Sequence, residues 1–173
     1  CLFLLAEVNY PQLPPQSQLS LFALLGLVLV FLKFPSSQAP RTRRWRVVDA
    51  LLCALTILCF GYVFTQVEPT LSMLWLDEVA LGHRAGAENP LDFWVGLAGL
   101  VLILEAARRA VGPALPALAL LFVLYAATGP LMPDWLFPHR GYSWQRIVSQ
   151  TFLHSQGVFG VPLRVMFTYV FLF

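Results

Sequence analysis

Ionisable residues are sparse in this sequence, so those that fall within its apolar stretches are the first candidates for chemistry. Glu105, Arg108 and Arg109 occur at i, i+3 and i+4, a spacing that sets one carboxylate against two guanidiniums on one helical face. Two roles fit this triplet. A carboxylate inside a membrane can take up a proton or a sodium ion, because ionisable groups there are costly and tend to be functional. It can also form a salt bridge that fixes the depth of a helix end, and Glu105, one turn from the end of its apolar run, favours that role. Asp49 follows Arg46 by three residues and is read in the same way. Asp92 follows Asn89-Pro90 and reads first as a helix-start carboxylate and second as a contact for a partner or another module. Arg164 stands behind Gly160 and Pro162 on an otherwise apolar segment, where it either snorkels to the surface or meets an anionic group.

Other familiar chemistries lack their residues. His83, His139 and His154 are widely separated and lie outside the apolar runs. They are expected as solvated loop residues, with neither zinc-ligand spacing nor a place in a bundle from which to hold haem. No glycine-rich phosphate loop with its lysine is present. Cys53 and Cys59 sit inside an apolar run and Cys1 opens the chain, so all three read as small hydrophobes. No catalytic residue, metal site or resident cofactor is expected.

The elements that must position these residues follow from composition. Of 173 residues, 58% are hydrophobic and 12% charged, and the mean hydropathy is +0.72. A soluble domain is roughly 25% charged, so too little charge is present to coat a water-facing surface. A soluble enzyme and a disordered segment are both excluded. A net charge of +2 is too small for a nucleic-acid footprint. The apolar residues come in long blocks without strand alternation, so the expected fold is all-α, a multi-spanning bundle of transmembrane helices. Full crossings are expected at 19–34, 47–64, 91–107 and 110–132, the last without any charge. Partial crossings are expected at 1–5 and 160–173. The missing initial Met and the apolar final residues lead us to expect a piece of a longer protein.

Orientation follows from basic residues. Lys33, Arg41, Arg43, Arg44 and Arg46 cluster between the first two full crossings, and Arg108 and Arg109 fall on the same side by parity. Segments 35–46 and 108–109 are therefore expected in the cytoplasm, with 6–18, 65–90 and 133–156 outside. Trp45, Trp75, Trp94, Trp135 and Trp144 fall near expected helix ends, the interfacial belt. Residues 71–80 and 143–154 read as amphipathic helices on the outer membrane face, the second with Ser143 as N-cap and Trp144, Ile147, Val148, Thr151 and Phe152 on its apolar side. Gly96 and Gly99 share a face, and Ala106 and Ala110 have small-xxx-small spacing, so close helix packing is expected.

From Arg84 onward the sequence resembles the front part of the fused permeases of TRAP transporters, the tripartite ATP-independent periplasmic class, in the branch that uses TAXI-type binding proteins. The resemblance is carried by Arg84-Ala85-Gly86, Asp92, Gly96, Leu104-Glu105-Ala106-Ala107-Arg108-Arg109, Gly112, Pro116, Tyr125, Gly129, Pro133 and Gly141-Tyr142-Ser143. It ends with Gln156-Gly157-Val158-Phe159-Gly160-Val161-Pro162-Leu163 running into Thr168-Tyr169-Val170-Phe171-Leu172-Phe173. Gln156 departs from the pattern, which has an acidic residue there. Residues 1–83 match mainly in hydropathy. The resemblance implies solute uptake driven by a sodium or proton gradient and fed by a periplasmic TAXI-type binding protein, in the bacterial inner membrane. Residues 1–142 would be a small scaffold-like module, and 143–173 an interfacial helix plus the first helix of the large transport module. Substrate and ion sites would lie beyond Phe173, in the remainder of the permease chain. Asp92, Gly157, Gly160, Pro162 and Arg164 would be contacts to a partner or module, while Glu105, Arg108, Arg109, Asp49, Arg43, Arg44 and Arg46 would set structure and topology. A non-transporting membrane scaffold is the alternative.

Overall fold

The computed structural model describes residues 13–34, 43–75, 81, 89–129, 140–154 and 157–170, with the side chains at 43–46, 74 and 170 outside that description. All regular structure among them is helical. Helix α1 is Pro15–Lys33, α2 Arg43–Val67, α3 Pro90–Ala110 and α4 Ala114–Ala127. Helix α5, Trp144–Val148, continues as a π-helical turn, Ser149–Leu153, and α6, Val161–Val165, continues as another, Met166–Val170.

Local chemistry sets the ends. Pro15 and Pro90 each sit in the first turn of their helix, where no N–H is needed and φ is already helical. Asp92 accepts a hydrogen bond from the Asn89 backbone N–H at 3.1 Å, a helix-start carboxylate as the sequence implies. Helix α3 runs on to Ala110 and stops at Gly112, whose φ of +119° suits a residue without a side chain. Pro113 then precedes α4.

Three helices, Pro15–Lys33, Val47–Val67 and Pro90–Ala110, are long and apolar enough to cross a membrane, and at most 28% of any of these spans is buried within the protein. At 1.5 Å per residue they measure about 28–32 Å, matching a hydrocarbon core of about 30 Å. Their apolar surface therefore needs a cover other than this chain. Helix α4 has 14 residues, about 21 Å, so the expected crossing at 110–132 is described as a shorter helix that begins four residues later, after the break at Gly112. Residues 1–5, the expected tail of a preceding crossing, lie outside the described residues. Of the expected outer helix at 71–80, the structure describes a 3₁₀ turn, Pro69–Leu74, and Trp75.

The segment 143–154 is helical, with Ser143 Oγ accepting from the Arg146 N–H at its start. Its apolar face, however, is not free to lie on a membrane surface. Ile147, Val148, Phe152 and Leu153 are buried, and the recess that receives them is the glycine face of α3. A Cβ on Gly96 would stand 2.7 Å from Val148 Cγ1, and one on Gly99 would fall inside the Phe152 ring. The small residues foreseen as a helix–helix seam are thus a socket for α5 and its π turn. Phe152 sits edge-on to Phe60 of α2 at 5.4 Å and to Phe159 at 5.6 Å, arrangements that such rings favour. Leu19, Phe60, Leu102, Phe152, Phe159 and Phe167 belong to one apolar core, which runs unbroken across the expected module boundary at 142/143. Ala106 is buried in it, whereas Ala110 is exposed.

Replacing Gly99 with Ala is expected to destabilise the fold by about 1–3 kcal/mol through overpacking, read by thermal unfolding in detergent. Adding F152L should recover part of the loss, and purely additive effects would show that the two positions do not meet.

Candidate functional site

Helices α1, α2 and α3 alternate in direction, so the end of α1, the start of α2 and the end of α3 share one end of the bundle. Arg109 is where they meet. Its Nη1 donates to Asp49 Oδ1 of α2 at 2.8 Å and to the Phe34 carbonyl after α1 at 3.3 Å. Its Nε donates to Glu105 Oε1 at 2.8 Å, and its guanidinium lies 5.2 Å from the centre of the Phe31 ring of α1, within cation–π range. Only 3% of the side chain is exposed.

Arg108 and Arg109 are adjacent in sequence but have different surroundings. Arg108 is 50% exposed and grips Glu105 through two bonds, Nε to Oε2 and Nη2 to Oε1, each 2.8 Å. Glu105 thus accepts from three guanidinium N–H groups. That geometry supports the salt-bridge role, because the oxygens a sodium ion or a proton would need are already engaged.

Asp49 was expected to pair with Arg46. The structure gives it Arg109, 60 residues away, because both residues lie at the same depth on neighbouring helices, and the side chain of Arg46 lies outside the described residues. The backbones of Arg43, Arg44 and Arg46 open α2 at this same end, as the clustering of basic residues requires.

The opposite end carries a second polar tie. Asp92 is fully buried and accepts from Tyr62 Oη of α2 at 2.5 Å, a contact between helices of this chain. Nearby, Gln16 Nε2 donates to the Leu153 carbonyl at 3.1 Å, linking α1 to the π turn after α5. His154 belongs to this buried layer and is not solvated as foreseen. Its backbone N–H closes the turn onto Ser149, drawing it under the core. His83 and His139 lie outside the described residues.

Gly157, Gly160, Pro162 and Arg164 form the turn and helix start that follow. A Cβ on Gly157 would collide with the carbonyls of Gln150 and Thr151, so this position serves a close backbone approach. Gly160 is buried, whereas Pro162 and Arg164 are exposed. Arg164 borders a cleft of about 260 Å³ with Pro15, Gln16 and Phe159. Between the two ties, α2 and α3 flank an open apolar cleft of about 460 Å³ that ends at Glu105 and Arg109. Among the described residues, no group of His, Cys, Asp or Glu is arranged to hold a metal ion.

Comparison of the chain with protein-family models, with curated proteins and with solved structures finds no match in any of the three.

The i, i+3, i+4 spacing of Glu105, Arg108 and Arg109 matches their contacts, whereas the cross-helix bond is signalled only by the equal depth of Asp49 and Arg109 on antiparallel apolar runs. Replacing Arg109 with Ala is expected to cost about 3–5 kcal/mol, because it takes a buried guanidinium away from both Asp49 and Glu105. Removing both partners, as D49N/R109M, should cost less than R109A alone, while R108A should stay within about 1 kcal/mol. Chemical unfolding in micelles measures all three.

Proposed function

We propose that this chain is the front portion of a TRAP-type membrane permease, serving as the non-enzymatic scaffold module of an ion-gradient-driven importer that is supplied by a secreted TAXI-type binding protein. The observation that carries the reading is a coincidence of residues. Leu104-Glu105-Ala106-Ala107-Arg108-Arg109, a contiguous stretch of the family resemblance, is also the segment that joins α1, α2 and α3. A module that braces a moving transport domain needs such a joint. Asp49, Asp92, Glu105 and Arg109 are engaged in ties between or within helices, which suits a static part and not a solute path.

In this reading the chain lies in the bacterial inner membrane with at least four crossings, α4 among them. Segments 35–46 and 108–109 face the cytoplasm, and the Tyr62–Asp92 end faces outward. The remainder of the permease supplies the substrate and ion sites, and a sodium or proton gradient drives uptake. A non-transporting scaffold subunit is the second reading, favoured by the same saturation of Glu105 and Asp49.

Three outcomes are expected. Proteoliposomes containing residues 1–173 alone take up no solute under an imposed sodium or proton gradient. A cysteine at Arg43 reacts with impermeant maleimide only from the cytoplasmic side, and labelling in intact cells would reverse the topology. Replacing Arg108 and Arg109 together with Glu disturbs insertion, seen as a changed accessibility pattern. Co-purification of the chain with a large transport subunit and a secreted solute-binding protein would separate the importer from the plain scaffold.

A further inference from the structure

The cleft between α2 and α3 is bordered by Val48, Leu52, Leu55, Leu97, Ala98 and Val101 and closes on Glu105 and Arg109 at one end. Val48, Leu55 and Val101 are among the exposed large hydrophobic residues of the molecule, and the cleft lies within spans suited to hydrocarbon, where water is a poor filler. Its shape limits what can occupy it. A helix is about 10 Å across, and bulky Leu52, Leu55 and Leu97 flank the single small residue Ala98, so a helix cannot come close. A flexible chain can. From Trp94 to Arg109 the cleft extends about 22 Å along α3, enough to take a chain that crosses one leaflet of a hydrocarbon core about 30 Å thick.

The polar end of the cleft is richer in basic than in acidic residues. Glu105 and Asp49 balance Arg108 and Arg109, and Lys33 stands at the end of α1. Arg43, Arg44 and Arg46 belong to the first turn of α2, so by residue type this end of the bundle is cationic. The Arg108 side chain is half exposed and remains free to face a second acceptor. Nη2 of Arg109 has no hydrogen-bond acceptor among the described residues, a costly state in an apolar setting.

We propose that this cleft holds one anionic phospholipid of the adjoining leaflet, its acyl chain along Leu52, Leu55, Ala98 and Val101 and its phosphate at Arg108 and the Arg109 end of the ion-pair network. The inference rests on the membrane-spanning reading but not on the transporter reading. The bound lipid covers the apolar cleft and places its phosphate where the guanidinium donors converge, so it acts as a structural element of the α2–α3 pair.

Native mass spectrometry of the purified chain in detergent tests this, with phosphatidylglycerol and phosphatidylcholine of identical acyl chains added in competition. One phosphatidylglycerol per chain should be retained, preferred over phosphatidylcholine by about fivefold or more for each arginine at the phosphate. A98F, which fills the cleft, should abolish retention of both lipids. R108Q should keep chain binding while reducing the headgroup preference toward unity. Equal retention of the two lipids by the unaltered chain would overturn the proposal without any variant having to fold, as would undiminished retention by a folded A98F. A second copy of the chain in place of lipid would appear as a lipid-free dimer and would also overturn it. Solute uptake plays no part in these measurements, so their failure leaves the transporter reading to its own tests.

Discussion

A guanidinium removed from water must be surrounded by acceptors, and the arrangement of this bundle follows from meeting that demand at Arg109. Two carboxylates from different helices, a carbonyl at the end of a third and an aromatic face converge on it. The two acceptors from other elements fix depth: Asp49 sets the start of α2 and Phe34 the end of α1 against α3. Glu105, on the same helix as Arg109, holds the guanidinium in place. Apolar helices slide past one another at little cost in a medium as greasy as their own side chains, so packing alone would leave their relative depth loosely set. Hydrogen-bonded charge removes that freedom, because a shift of one turn would leave a buried charge without its partner.

The far end is organised by shape as well as charge. Gly96 and Gly99 open a recess in α3, and Phe152 fills it. Phe60 and Phe159 then close around that ring. The result joins α5 to the long apolar helices through contact too close for any larger residue. The π-helical turn at Ser149–Leu153 belongs to this fit: widening the helix at that point places Phe152 and Leu153 together on the buried side. The Tyr62–Asp92 bond lies at the same end, so the start of α3 is held to α2 there as its end is at Arg109.

Hydropathy made the spanning helices readable, since a run of about 20 apolar residues has few alternative uses. The helix at 143–154 was also legible, and so were Ile147, Val148 and Phe152 on its apolar side, whereas Trp144 is exposed and Ser149 and Leu153 are buried. What covers that side was not, because an apolar stripe looks the same in sequence whether lipid or glycine-lined protein meets it. Gly96 and Gly99 were recognised as a packing face, but the partner was identified only by their distance from Phe152. The bond from Arg109 to Asp49 spans 60 residues and depends on depth, which local spacing does not encode. His154 was misjudged for a related reason: its turn folds inward onto Ser149, a tertiary event with no local signature. The position of Gly112 marked a helix end, yet hydropathy ran through it without pause.

The two polar ties on the α2–α3 pair have a mechanical consequence. Tyr62 and Asp49 are 13 residues apart on α2, roughly 20 Å, and each is bonded to the neighbouring rod. Two rods pinned at a single point can pivot like scissors, but pinned at both ends they form a truss that resists shear and torsion together. Load applied at one rim of such a frame reaches the other with little give, and a bowing of the rods about their midpoints is the softest deformation left.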